Sequence, residues 1–205
     1  MEKYKITDLR QAVKNENRVN VFVNGRYSFS LDISQVVDLH IKKGMVLCEA
    51  QLEEYKKASE FGKLYQRTLE WTLTRPRSER ETRDYLSKKI FERKLDKKYI
   101  NLIVEKLKTK KYLNDESFAR WYVENRFVKK GVSRKRLSME LSKKGVAREI
   151  IDEALNLRND EDELKKIIAK KRAKYPDDEK LIQYLCRQGF SYQLVQDLVH
   201  SCETD

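Results

Sequence analysis

The chemistry this sequence offers is cationic. Arg77, Arg80, Arg83, Lys88 and Lys89 lie in one stretch of the chain. A second stretch holds Arg120, Arg126, Lys129, Lys130, Arg134, Arg136, Lys143 and Lys144. Guanidinium groups at helix starts and turns match phosphate oxygens, which accept forked hydrogen bonds. These thirteen residues are therefore the candidate binding residues for a polyanion. For Arg126 two readings stand: a partner contact, or a helix-surface arginine paired with an acidic neighbour. Trp121, at the edge of an apolar stripe, is read as core-edge packing ahead of base stacking.

Other chemistries lack their residues. The two histidines, His40 and His200, have no second His, Cys or carboxylate at ligand spacing, and are read as surface or core-edge side chains. The six glycines are scattered at turns, and none builds a phosphate-cradling loop. No Ser or Cys sits in a nucleophile-elbow sequence. The carboxylates occur at helix starts and in Lys/Glu faces, where capping and i, i+4 pairing explain them. The chain is not read as an enzyme, and no cofactor or metal is expected. Cys48, Cys186 and Cys202 have neither metal nor redox-pair spacing, and buried thiols are the expectation.

Charge is unevenly distributed over the 205 residues, whose net charge is +12. Residues 1–60 carry net +1, residues 61–113 net +9, residues 114–158 net +4 and residues 159–205 net −2. A polyanion should meet the middle of the chain. No run is long and apolar enough to span a membrane, and the N-terminus lacks the order of a signal peptide. A cytoplasmic protein is the expectation.

The elements that position these cations repeat. Leu86-Ser87-Lys88-Lys89, Leu141-Ser142-Lys143-Lys144-Gly145-Val146 and Leu185-Cys186-Arg187-Gln188-Gly189-Phe190 each end a helix, with an N-cap type eight residues before each leucine: Ser78, Ser133 or Asp177. Ser78 and Glu81 predict a capping box. The following helices carry Tyr99, Ile100, Ile103 and Val104, then Ile150, Ile151, Ala154 and Leu155, then Leu194, Val195, Leu198 and Val199. That spacing lays an apolar stripe on one helix face. Leading helices are expected at about 61–75, 116–130 and 161–174, the second bearing a stripe of Phe118, Ala119, Tyr122, Val123 and Phe127. Asp115-Glu116 and Asp160-Glu161 would complement the dipoles of the helices they open. The copies stand 51 and 44 residues apart (Leu95 to Val146 to Phe190), with the surplus expected in a loop around Ile90–Lys94.

The fold expected is mainly α: tandem three-helix, helix-turn-helix-like repeats at 61–113, 114–158 and 159–205, forming an elongated curved array. Residues 1–60 read as a small cap shielding the array's end. Val19–Val23 and Tyr27–Leu31 alternate around Asn24-Gly25, a strong hairpin signal. Tyr4–Val13 supplies a third strand, and Ser34 caps a short helix closed by Lys42-Lys43-Gly44.

The second repeat carries a recognisable series. Asn114-Asp115, Phe118-Ala119, Tyr122-Val123, Arg126, Gly131, Leu137, Leu141 and Lys144-Gly145-Val146 resemble the signature of the RecX family, regulatory proteins of the RecA recombinase. Arg77-Ser78-Glu79 with Arg83 and Leu86 is similar to that family's first-repeat motif, and Gly189-Phe190 to its closing motif. The resemblance implies a non-enzymatic, monomeric protein that lodges in the groove of the RecA filament on single-stranded DNA. It would limit strand exchange and ATPase activity, bear on DNA repair and the SOS response, and bind single-stranded or duplex DNA directly. The alternative is a stand-alone DNA-binding helical-repeat protein that needs no RecA. Two positions depart from the family pattern: Ile90-Phe91 continue where the first junction lacks its glycine, and Lys111 stands where a glycine is common.

Overall fold

The computed structural model describes residues 3–13, 15–156 and 158–201, with the side chains of 127–130 outside that set. Cys202 and the side chains of Phe127, Lys129 and Lys130 thus lie outside the described residues. The chain divides into two compact units, Met1–Trp71 and Thr72–Asp205.

The first unit is built on a four-stranded antiparallel sheet in the order β3-β2-β1-β4: β1 Tyr4–Ala12, β2 Asn15–Val23, β3 Arg26–Asp32 and β4 Val46–Leu47. Asn24 (φ 49°) and Gly25 (φ 81°) both take positive φ, the backbone a two-residue hairpin turn demands. The two-residue β4 carries too little pattern to be read from sequence, and pairs Leu47 with Tyr4. Ile6, Val21, Phe29, Leu31 and Leu47 fill the core together with Leu52 and Tyr55. These last two belong to α2 (Glu49–Leu73), which runs unbroken for 25 residues through position 61. Helix α1 (Ile33–Asp38) is capped by Asp32, not by Ser34 as expected. Gln35 completes a capping box with Asp32, whose carboxylate also accepts from the Ser34 hydroxyl at 2.7 Å.

The second unit continues with α3 (Glu79–Arg93) and α4 (Lys98–Thr109), then the triplet α5 (Asp115–Lys130), α6 (Arg134–Lys143), α7 (Arg148–Leu155), and the triplet α8 (Asp160–Lys171), α9 (Asp178–Arg187), α10 (Tyr192–Ser201). The apolar stripes face inward as their period predicts. Ile103, Val104, Ile151, Val195 and Val199 are at most 1% exposed. Phe118, Val123, Leu137, Leu141, Val146 and Ile151 form the core of the middle triplet, and Leu164, Leu181, Leu185, Phe190 and Val195 that of the last. The architecture is mainly α with a small N-terminal antiparallel sheet.

Three local expectations are corrected. Ile90–Arg93 is not a loop but the last turn of α3, so the junction equivalent to Leu141 is Ile90, one turn beyond Leu86. Leu95 donates its amide to the Ile90 carbonyl as Val146 does to that of Leu141. The extra spacing after Leu95 resides largely in longer helices: α4 has 12 residues against 8 in α7, and α5 has 16 against 12 in α8. Glu81 gives only half of the expected box: its amide donates to the Ser78 hydroxyl, while its carboxylate is drawn to Lys144 and Arg75. Cys48 is exposed, not buried; Cys186 is half-buried.

Candidate nucleic-acid interface

Several of the cations, among them Arg134, Arg136 and Lys144, stand at the joints between successive repeats, and the two joints share one aspartate contact. Asp115 and Asp160 each follow an asparagine that caps its own helix: Asn114 accepts from the Ser117 amide and Asn159 from the Glu161 amide. This frees the aspartates for the preceding repeat. Asp115 accepts from the first amide of α3, Glu79 N (2.8 Å), and Asp160 from the first amide of α6, Arg134 N (2.8 Å). Both stand in the first turn of their own helices, where they complement the dipole as expected, and each carboxylate also satisfies an orphan donor one repeat upstream.

The N-cap serines complete the joints. Ser78 is fully buried, accepts from Glu81 N, and donates its hydroxyl to the Lys144 carbonyl at the α6 C-terminus (2.8 Å). Ser133, equally buried, accepts from Arg136 N and donates its own amide to the Gln188 carbonyl at the α9 C-terminus. Gly145 and Gly189 let the backbones close. A Cβ at Gly145 would stand 2.8 Å from Arg80 Cβ, and one at Gly189 would stand 2.5 Å from Ser133 Oγ.

This geometry sorts the thirteen candidates. Arg126 is a structural cation: its fork holds the Glu140 carboxylate at 2.8 Å through both Nε and Nη2. Tyr122 OH and Arg136 also donate to Glu140, and with Arg126 they hold that carboxyl down at about 2. Arg136 further donates to the Arg187 carbonyl, and Arg134 to the Arg158 carbonyl (3.0 Å). Lys144 pairs with Glu81; Arg83 bridges Glu79 and Asn101; Lys89 pairs with Glu92. Arg77 is half-buried and donates to the Thr74 hydroxyl, with burial and the nearby Arg75 pushing its pKa down. Arg120 pairs with Glu153 while both stay exposed. Arg80, Lys88 and Lys143 are exposed. They, with the exposed Lys135 that lies outside the thirteen, are the cations most open to a polyanion. Trp121 sits at the core edge, tilted against Phe118, with the Arg75 guanidinium 5.2 Å from its ring centre.

Two features escape sequence reasoning. Arg158 is nearly buried; its guanidinium donates to the Val132 carbonyl (3.2 Å) and lies 3.5 Å from Glu163, itself buried. Burial pushes the Arg158 pKa down and the Glu163 pKa up. The signal lay in the alignment of Asn159-Asp160 with Asn114-Asp115, which pairs Arg158 with the buried Leu113 and Glu163 with the buried Phe118. The junction between the second and third repeats thus holds an ionic pair where the equivalent positions between the first and second are apolar. The other feature is Phe91, 86% exposed on the extra turn of α3.

Known proteins match over most of the chain. A family model described as "RecX, second three-helix domain" matches residues 114–155, and one described as "Regulatory protein RecX N-terminal domain" matches residues 4–47. The chain is 31% identical over 201 residues to the regulatory protein RecX of Listeria welshimeri, covering 94% of this chain and 73% of that protein. It is also 31% identical to the protein of that name from Bacillus licheniformis, covering 98% and 77%. A crystal structure of regulatory protein RecX superposes with a TM-score of 0.74 over 96% of this chain and 99% of that one, at 24% identity. The structure of RecX from Lactobacillus salivarius does so with a TM-score of 0.60 over 72% and 99%, also at 24% identity.

Proposed function

The chain belongs to the RecX family of regulatory proteins, and from that premise we propose that it binds the RecA filament on single-stranded DNA and restrains its strand exchange and ATPase. In this reading it acts in the cytoplasm as a monomer, the array comprises repeats 61–113, 114–158 and 159–205 behind a cap of residues 1–60, and the first two repeats meet the filament's polyanionic groove. The observation that carries the reading is the match of residues 114–155 to the RecX three-helix domain. The net positive charge of the segments 61–113 and 114–158 supports it. Arg80, Lys88, Lys135 and Lys143, being exposed, are the side chains suited to phosphate.

RecA's DNA-dependent ATPase and strand exchange, measured with and without the protein beside DNA binding by the protein alone, test this reading. The expected result is a dose-dependent fall in both activities at protein concentrations well below that of RecA. Tight DNA binding with no change in either activity would instead establish the stand-alone DNA-binding protein, a reading the exposed cations also favour.

A further inference from the structure

We propose that Phe91 is a base-stacking platform for single-stranded DNA, carried on a one-turn extension that sets the first repeat apart from the other two. This deepens the proposed DNA contact but does not require RecA.

The first observation is length. Helix α3 has 15 residues where α6 and α9 have 10, and α4 has 12 where α7 has 8 and α10 has 10. The α3–α4 hairpin therefore outreaches its counterparts by about one turn, about 5 Å of helix rise. The added turns bury Ile90 and Leu107, whereas the three residues of α3 that follow Ile90 bury nothing.

The second observation is what the added turn displays. Phe91 is 86% exposed, the most exposed aromatic ring among the described residues. Among those residues no ring stacks on it and no cation covers it. An aromatic ring left in water forfeits the burial that normally justifies it.

The third observation is the charge around it. Lys88, three residues earlier, shares Phe91's helix face, and Lys94 and Lys97 follow in the α3–α4 junction; all three are exposed. The nearby carboxylates are offset by their own lysines, Glu92 by Lys89 (2.8 Å) and Asp96 by Lys98 (3.1 Å). A bare ring flanked by cations fits an unstacked base with its phosphates on either side. A duplex, whose bases are stacked on one another, offers no such face. An apolar protein anchor would want a concave, uncharged surround, which this helix end lacks.

The test uses the whole protein and a fluorescein-labelled twenty-nucleotide oligo(dT). Phe91→Ala should weaken binding about tenfold, because one base–aromatic stack is worth that much. Phe91→Tyr should stay within twofold of wild type. The dependence of affinity on salt should keep its slope in Phe91→Ala and flatten in a Lys88→Ala, Lys94→Ala double variant, since only the latter removes phosphate contacts. In a Phe91→Trp variant, oligo(dT) should quench indole fluorescence beyond the change seen from Trp71 and Trp121. The thermal midpoint of each variant checks the fold. Unchanged oligo(dT) affinity in Phe91→Ala would overturn the proposal, as would a loss confined to RecA-coated DNA, which would make Phe91 an anchor for protein. Retention of stacking with no effect on RecA would sink only the regulatory reading.

Discussion

The Ser78 hydroxyl donates to the carbonyl of Lys144, 66 residues further along the chain, while accepting from the amide of Glu81. One buried side chain thus satisfies an orphan donor at the start of α3 and an orphan acceptor at the end of α6. Losing it removes an N-cap, about 1 kcal/mol, and strands the partner carbonyl, about 1–3 kcal/mol more. Ser78→Ala should therefore lower unfolding free energy by about 2–4 kcal/mol in urea titrations. A cost under about 1 kcal/mol would mean that the joint does not depend on this serine.

Glycine substitutions should act with opposite sign at the ends of different helices. Gly145 (φ 80°) and Gly189 (φ 95°) meet the preceding repeat's cap closely, so alanine at either should cost about 1–3 kcal/mol. Lys94 (φ 54°) and Lys111 (φ 59°) hold the same left-handed conformation without glycine's freedom. Lys94→Gly and Lys111→Gly should each leave stability unchanged or raise it by up to about 1 kcal/mol. Thermal melts of the four variants read this directly, and destabilisation by both lysine replacements would refute it.

Acid should loosen the middle triplet through Glu140. Its pKa falls from 4.5 to about 2 on folding, chiefly through the Arg126 fork. A depressed carboxyl adds stability that is complete above the unfolded pKa and is lost as pH drops through the folded one. The contribution is at most about 3 kcal/mol before solvent screening. Glu140→Gln should be less stable than wild type at pH 7, and the gap should close between about pH 4.5 and 2. A gap independent of pH would show that the charge on Glu140 is not what stabilises the triplet.

Arg126→Lys separates the arginine's geometry from its charge. Lysine keeps the positive charge but cannot hold both Glu140 oxygens with one planar fork. The thermal midpoint should fall by a few degrees, with DNA binding changed only in proportion to the folded fraction. An unaltered midpoint with weakened DNA binding would return Arg126 to the interface.

Exposed and engaged cations should part company under charge reversal. Lys88→Glu with Lys143→Glu should weaken oligonucleotide binding and flatten its salt dependence while leaving the melting curve in place. Arg134→Glu with Arg136→Glu should lower the melting point first, since those guanidinium groups donate to the Arg158 and Arg187 carbonyls. Lys170→Glu with Lys171→Glu, on the acidic third repeat, serves as the comparison and should affect binding least. Equal binding losses at all three pairs would deny the basic middle any special role.

The sequence by itself determined the repeat, the helical class, the Asn24-Gly25 hairpin and the buried stripes, because each follows from local chemistry: a cap, a turn or a 3.6-residue period. It also carried the family signature. What it could not determine is which cation is spent where. Arg126, Arg134, Arg136 and Lys144 read like Arg80, Lys88 and Lys143 until the chain folds, when partners 14 to 63 residues away claim the first four. The aspartates at 115 and 160 likewise read as dipole partners of the helices they open, and only folding adds that each also caps the helix of the preceding repeat. The extra turn that exposes Phe91 was hidden for a related reason: a loop and one more helical turn both lengthen a repeat. Only the tertiary structure, by burying Ile90 in the core one turn beyond Leu86, decided between them.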